Sequence, residues 1–273
     1  MSDGSGASPP QPPKLTSDVF EAMIEKSSLA TGQIVVLGML AGAYIGFGGL
    51  FATVALAGAD GVLPYGAAQV LAGIVFVTGL TLVVVAGAEL FTGNVLMFGP
   101  VADQELPLST VAKALLTVYL ANAVGSMLLA ALVFSTGMHL AEDGAIAKAA
   151  IDIATTKSTI GFGQAMASGI LANMLVCLAV WMSYGGSSTG DKIIAVALPI
   201  AAFVAAGLEH SVANMYLLPY GWLIANLSTE YGQSEGAVTL LGILGNLVPA
   251  TIGNLIGGAC IALAYWWSYC RRP

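Results

Sequence analysis

Ala86-Gly87-Ala88-Glu89-Leu90-Phe91-Thr92-Gly93-Asn94 and Ala206-Gly207-Leu208-Glu209-His210-Ser211-Val212-Ala213-Asn214 stand 120 positions apart, and both fit Ala-Gly-x-Glu-x-x-x-x-Asn. Each interrupts a long apolar segment with a carboxylate and an amide, and the second adds an imidazole. In hydrocarbon a charged side chain costs about 3 kcal/mol or more unless it faces protein or water, so such groups mark a functional site. Two matching interruptions in the two halves of a membrane chain point to a transporter or channel built from an internal repeat.

The rest of the composition agrees with a membrane setting. With 273 residues, 57% hydrophobic and 8% charged, and a mean hydropathy of +0.86, the chain is a polytopic membrane protein rather than a soluble domain. A net charge of -7 with 8 Lys and Arg excludes nucleic-acid binding. Cys177, Cys260 and Cys270 form no C-x-x-C pattern and are expected as reduced structural thiols. His139 and His210 are the only histidines, too few for a zinc site, and no metal or cofactor is expected. There is no G-x-x-x-x-G-K-[ST] of an ATP-driven pump, no potassium-filter sequence, and no Asn-Pro-Ala at the breaks as in an ordinary aquaporin. An enzyme is not expected, because no nucleophile or cofactor motif accompanies Glu89, Glu209 and His210.

The Pro-rich stretch over residues 1–13 is expected to be disordered. Residues 16–31 place Val19, Phe20, Met23 and Ile24 at helical spacing after Ser17 and Asp18, a short amphipathic helix that either lies on the membrane and packs or covers a pore mouth. Six spans follow: Ile34 to Ala57, Ala67 to Phe98, Val111 to Ser135, Ile160 to Tyr184, Ile193 to Leu218 and Thr239 to Trp267. The second and fifth contain the breaks. The first span serves as the insertion signal, with no cleavable signal peptide expected. The domain plan is thus a tail over 1–33, a channel domain over 34–268 and a short tail over 269–273. Basic residues set the orientation: Lys14, Lys26, Lys113, Lys192, Arg271 and Arg272 fall on one side and Lys148 and Lys157 on the other, which puts both termini in the cytoplasm.

Asn122-Ala123-Val124-Gly125 in span three answers Asn254-Leu255-Ile256-Gly257 in span six. Three spans per half force the second copy to enter with opposite polarity, an inverted 3+3 repeat. The Asn-x-x-Gly pair alone also fits simple helix packing. His210 titrates near neutral pH when unperturbed and is either the natural proton partner in a narrow pore, with Thr92 able to meet it from the other break, or a buried neutral histidine hydrogen-bonded to backbone. Lys157, just before span four, either attracts anions at an outer mouth or anchors the span by snorkelling.

These motifs resemble the formate/nitrite transporter family. Gly87-Ala88-Glu89-Leu90-Phe91-Thr92-Gly93-Asn94 and Gly207-Leu208-Glu209-His210-Ser211-Val212-Ala213-Asn214-Met215 are similar to its two signatures, and Gly169 to Tyr184 is similar to the fourth span of formate channels. The resemblance implies an aquaporin-like, all-α fold assembled as a homopentamer in a bacterial-type inner membrane. His210 would be the central pore histidine, with Thr92 opposite it. Glu209, Asn173 and Lys157 would form the polar network behind the histidine, with Asn214, Glu89 and Asn94 completing the break motifs. Leu80, Leu90 and Val176 would line a cytoplasmic constriction and Phe76, Phe91 and Phe203 a periplasmic one, while the N-terminal helix would act as a gate. Ala41 to Gly46 and Leu80 to Gly87 look more like nitrite channels, whereas span four and Leu198-Pro199-Ile200 look more like formate channels. The expected function is proton-linked passage of a small monovalent anion, formate first and nitrite second, with hydrosulfide, lactate or a neutral solute as alternatives.

Overall fold

The computed structural model describes residues 10–231 and 238–271. The first nine positions of the expected disordered tail and Arg272 of the orientation count lie outside the described residues.

Among the described residues the chain is all helix. In order, the helices are α1 Pro12–Ser27, α2 Thr31–Leu56, α3 Tyr65–Ala86, α4 Phe91–Asn94, α5 Phe98–Ala102, α6 Leu108–Ser135, α7 Ala145–Thr159, α8 Phe162–Tyr184, α9 Thr189–Ala205, α10 Ser211–Leu227 and α11 Leu240–Tyr269. Five of them, α2, α3, α6, α8 and α11, are long and apolar enough to cross a membrane. Helices α9 and α10, of 17 residues each, follow one another across the break at Gly207. Apolar side chains cover the outer faces as well as the core: Val36, Leu116, Leu132, Leu171, Leu198 and Leu241 are all exposed. Such a surface belongs in lipid.

Helix bounds differ from the sequence expectation chiefly at their ends. Helix α1 begins at Pro12, inside the stretch expected to be disordered, because proline at a first helical position gives up no hydrogen bond. A further helix, α7, precedes α8, and apolar periodicity did not announce it because alternating Ala, Thr and charged residues keep its hydropathy low. Helix α10 runs on to Leu227, past the expected end at Leu218, with Pro219 inside it.

The helices cross closely in two matching pairs, α2 with α6 and α8 with α11. A methyl at Gly125 would come within 1.9 Å of the Met39 carbonyl oxygen, and one at Gly257 within 2.1 Å of that of Ile170. Small residues here let two backbones touch, the usual device for helix association in lipid. Helix α3 packs on α2 and α9, α8 also on α9, and α10 on α6 and α7. Helix α1 lies across one end of this bundle. Its Val19, Phe20 and Met23 are buried, and the Phe20 ring meets Trp181 edge-on at 6.0 Å.

Candidate functional site

Both breaks are built the same way. Helix α3 ends where Gly87 takes φ +78°, and α9 ends where Gly207 takes φ +66°, a left-handed conformation in which glycine carries no Cβ penalty. The chain then runs extended through Leu90 and through His210 before α4 and α10 begin. Neither new helix start is capped by an Asn, Ser or Thr at its own N-cap, and an asparagine from a distant helix contributes instead. The Phe91 amide donates to Asn122 Oδ1 at 2.9 Å, and the Ser211 amide donates to Asn254 Oδ1 at 2.8 Å. Asn122 Nδ2 in turn donates to the Gly38 and Glu89 carbonyls, as Asn254 Nδ2 does to those of Gly169 and Glu209. The Asn-x-x-Gly motif thus has a definite use: its asparagine holds the broken backbone and its glycine lets the neighbouring helix come near.

Each break also carries a buried carboxylate held by an amide and an ammonium. Asn94 Nδ2 donates to Glu89 Oε2 at 2.6 Å, and Asn214 Nδ2 to Glu209 Oε2 at 2.6 Å. Lys26 Nζ, on α1, donates to Glu89 Oε1 at 2.6 Å, while Lys157 Nζ, on α7, donates to Glu209 Oε1 at 2.8 Å. Sequence reasoning found Lys157 but counted Lys26 only for orientation. A signal was present, since Lys26 and Lys157 stand equally far ahead of Gly38 and Gly169. Glu209 gains one further donor, Asn246 Nδ2 at 2.9 Å, which also binds the Lys157 carbonyl. Asn246 had no sequence signal of its own.

Between the breaks, Thr92 Oγ1 and His210 Nε2 lie 2.9 Å apart, both fully buried or nearly so. The Ala213 amide donates to His210 Nδ1 at 3.0 Å, so the ring also caps its own helix. An amide can only donate, which makes Nδ1 an acceptor and places the ring proton of the neutral histidine on Nε2, facing the Thr92 hydroxyl. Asn173 reaches the Thr92 side of this contact and, through Asn254, the Glu209 carbonyl. It donates to the Thr92 carbonyl at 3.2 Å and to that of Asn254 at 2.6 Å.

Two separate cavities approach this pair from opposite mouths. One, of about 180 Å³, lies at the α1 mouth and is lined by Lys26, Lys192, Tyr184, Leu90, Gly93 and Asn94 among others. The second, of about 130 Å³, lies at the α7 mouth and is lined by Lys157, Phe76, Phe203, His210 and Asn214 among others. Phe76 meets Phe203 edge-on at 5.5 Å, and Phe203 stands 5.7 Å from the His210 ring. Of the residues expected at constrictions, Leu90, Phe76 and Phe203 line these cavities. Leu80, Val176 and Phe91 are buried outside both linings, and the Phe91 ring packs edge-on against Tyr119 at 4.9 Å. A cavity on each side, an ammonium–carboxylate pair beside each, and a hydroxyl–imidazole contact between them place a few hydrogen-bond donors in otherwise apolar surroundings.

Comparison with known proteins agrees with this geometry. The family model described as formate/nitrite transporter matches residues 13–267. A formate channel, FocA, of Escherichia coli (strain K12) is 38% identical over 262 residues, covering 92% of each chain. A probable formate transporter of Methanothermobacter thermautotrophicus is 37% identical over 280 residues, covering 95% of this chain and 97% of the relative. Among solved structures, a pentameric formate channel with formate bound superimposes with a TM-score of 0.81 at 33% identity, over 89% of this chain and 98% of that one. Sequence and fold therefore agree that the chain belongs to the formate/nitrite transporter family.

Proposed function

We propose that this protein is a homopentameric channel or transporter that carries small monovalent anions, formate first, across a bacterial-type cytoplasmic membrane with both termini inside, so that the α1 mouth is cytoplasmic. The observation that carries the reading is the Thr92–His210 contact, with a cation-bearing cavity on either side of it. The matching bonds at the two breaks support an inverted 3+3 repeat with each Glu–Asn pair at a pseudo-equivalent place.

The electrostatics follow from the site. A bare carboxylate in an apolar constriction carries a penalty of about 3 kcal/mol or more on insertion scales, and a proton removes most of it. Lys26 and Lys157, each paired with a buried glutamate, offer their remaining N–H donors to an anion at the mouths, and a neutral His210 donates Nε2–H to its oxygens once the contact with Thr92 is exchanged for one with substrate. A second proton on the ring requires Nδ1 to release the Ala213 amide, so proton donation from His210 is coupled to loosening of the α10 cap. Nitrite, of the same charge and similar size, meets the same groups and is the second substrate.

The decisive experiment is flux into proteoliposomes of formate, nitrite, lactate and hydrosulfide, side by side at two pH values. Formate flux that rises at the lower pH and disappears in H210F supports the reading. Solute flux indifferent to pH, with glycerol passing as readily as formate, replaces it with a neutral-solute facilitator.

A further inference from the structure

The Thr92 carbonyl is held from one direction by two side chains a single helical turn apart. Asn173 Nδ2 reaches it at 3.2 Å and Cys177 Sγ at 3.4 Å, both from α8 and both fully buried. A thiol can donate one proton and a carbonyl can only accept, so the direction of the Cys177 bond is fixed. Helix α4, to which Thr92 belongs, has only four residues before the backbone tightens into a 3-10 turn at Val95–Met97. A helix that short does not hold its own geometry and depends on neighbours for it.

The space for the two donors is made on α11. A methyl at Gly258 would come within 2.7 Å of Asn173 Nδ2 and within 2.9 Å of Cys177 Sγ. Nor is the pair a general packing device of the fold. At the other break, the positions four and eight residues beyond Gly38, which match Asn173 and Cys177 beyond Gly169, are Gly42 and Gly46, with no donor at all. The donors occur only where the carbonyl belongs to the residue whose hydroxyl faces His210.

We propose that Cys177 is a positioning residue: its thiol, together with Asn173, fixes the Thr92 backbone so that Oγ1 stays within hydrogen-bond reach of His210 Nε2. His210 is held by the Ala213 amide and by Asn254 on Ser211, and Asn173 ties that side to Thr92 by donating to the Asn254 carbonyl as well, whereas Cys177 bonds only the Thr92 carbonyl. The distance between the two pore groups is therefore set from both sides, and Cys177 is the contributor on the Thr92 side alone that sequence motifs do not show. Its role in flux rests on the transport reading above, while its role in geometry does not.

The test uses the full-length assembled protein, labelled with nitrogen-15 at its histidines, as parent, C177A and C177S. Serine keeps an O–H donor at this place and alanine removes it. In C177A the His210 Nε2 resonance is expected to move and the His139 signals to stay, with the parent spectrum recovered in C177S. In proteoliposomes, formate flux in C177A is expected to fall about three- to tenfold, the range for loss of one neutral hydrogen bond, with C177S within about twofold of the parent. A His210 signal that does not move in C177A overturns the proposal, as does unchanged C177A flux where the parent carries formate. A parent that carries no formate overturns the transport reading instead, and the histidine spectra then decide this proposal alone.

Discussion

The amide of Ala213 donates to Nδ1 of His210, so the imidazole both caps α10 and faces Thr92. The two duties use different nitrogens and can be separated. Asparagine at position 210 keeps an acceptor at the place of Nδ1 but has nothing at the place of Nε2. H210N is therefore expected to assemble with thermal stability close to the parent and to lose pH-linked formate flux by tenfold or more. H210F, which loses both nitrogens, is expected to be less stable as well. Thermal midpoints in detergent and flux in liposomes check both, and an H210N protein with full, pH-dependent flux removes the Nε2–H from the mechanism.

The two ion pairs are alike in distance but not in support. Glu209 is held by Lys157, Asn214 and Asn246, whereas among the described residues Glu89 is held only by Lys26 and Asn94. Removing one partner of a buried pair costs about 3–5 kcal/mol because the other charge is left uncompensated, and fewer remaining donors mean a larger share of that cost. K26M is therefore expected to lower the melting midpoint more than K157M. Neutralising the stranded carboxylate, as in K26M/E89Q, is expected to recover most of the loss. Equal losses in the two single variants, measured on the assembled oligomer, contradict the unequal support inferred here.

How much of this was legible in the sequence depended on whether a residue's partner was near it in the chain. Gly87 and Gly207 were readable because a left-handed turn needs glycine locally, and the Glu–Asn spacing was readable because both ends of that bond lie five residues apart. The Thr92–His210 contact was expected from the matching break motifs and is present at 2.9 Å. Lys26 was not assigned to Glu89 because its partner lies 63 positions away and its helix is amphipathic in the ordinary manner of a surface segment. Asn246 and Cys177 were silent for the same reason: each acts on one distant group, and neither sits in a pattern. Helix α7 escaped detection because it carries Lys148, Asp152 and Lys157, which dilute its apolar face while Ala147, Ala150 and Ala154 pack inward.

Asn122 and Asn254 make the same three bonds, one received amide and two donated carbonyl bonds, at the two breaks. Both are fully buried, so truncation leaves backbone groups unsatisfied at about 1–3 kcal/mol each. N122A and N254A are each expected to yield little folded oligomer, and to similar extents. Aspartate keeps the acceptor but sets a buried carboxylate against the Gly38 and Glu89 carbonyls, so N122D is expected to be no more stable than N122A. Yield and thermal midpoint by size-exclusion chromatography check this, and an N122A protein as stable as the parent denies the asparagine its capping role.

His139 lies outside the membrane-crossing helices, in the turn Met138–Leu140 between α6 and α7, and is buried with its ring stacked on Phe134 at 4.8 Å. Its Nδ1 finds no partner among the described residues. Burial, which disfavours the charged form, lowers its pKa below the ordinary 6.5, and the Glu230 carboxylate opposes that only in part. As the pH falls through 6.5, the unfolded chain takes up a proton that the folded chain still refuses. The contribution of a neutral His139 is therefore complete above 6.5 and is lost as the pH drops toward the folded value. H139F keeps the aromatic stack and removes the titration, so its melting midpoint is expected to fall less steeply than the parent's between neutral and mildly acidic pH. Parallel curves for the two proteins over that window mean that His139 is already solvated in the folded state and does not sense pH.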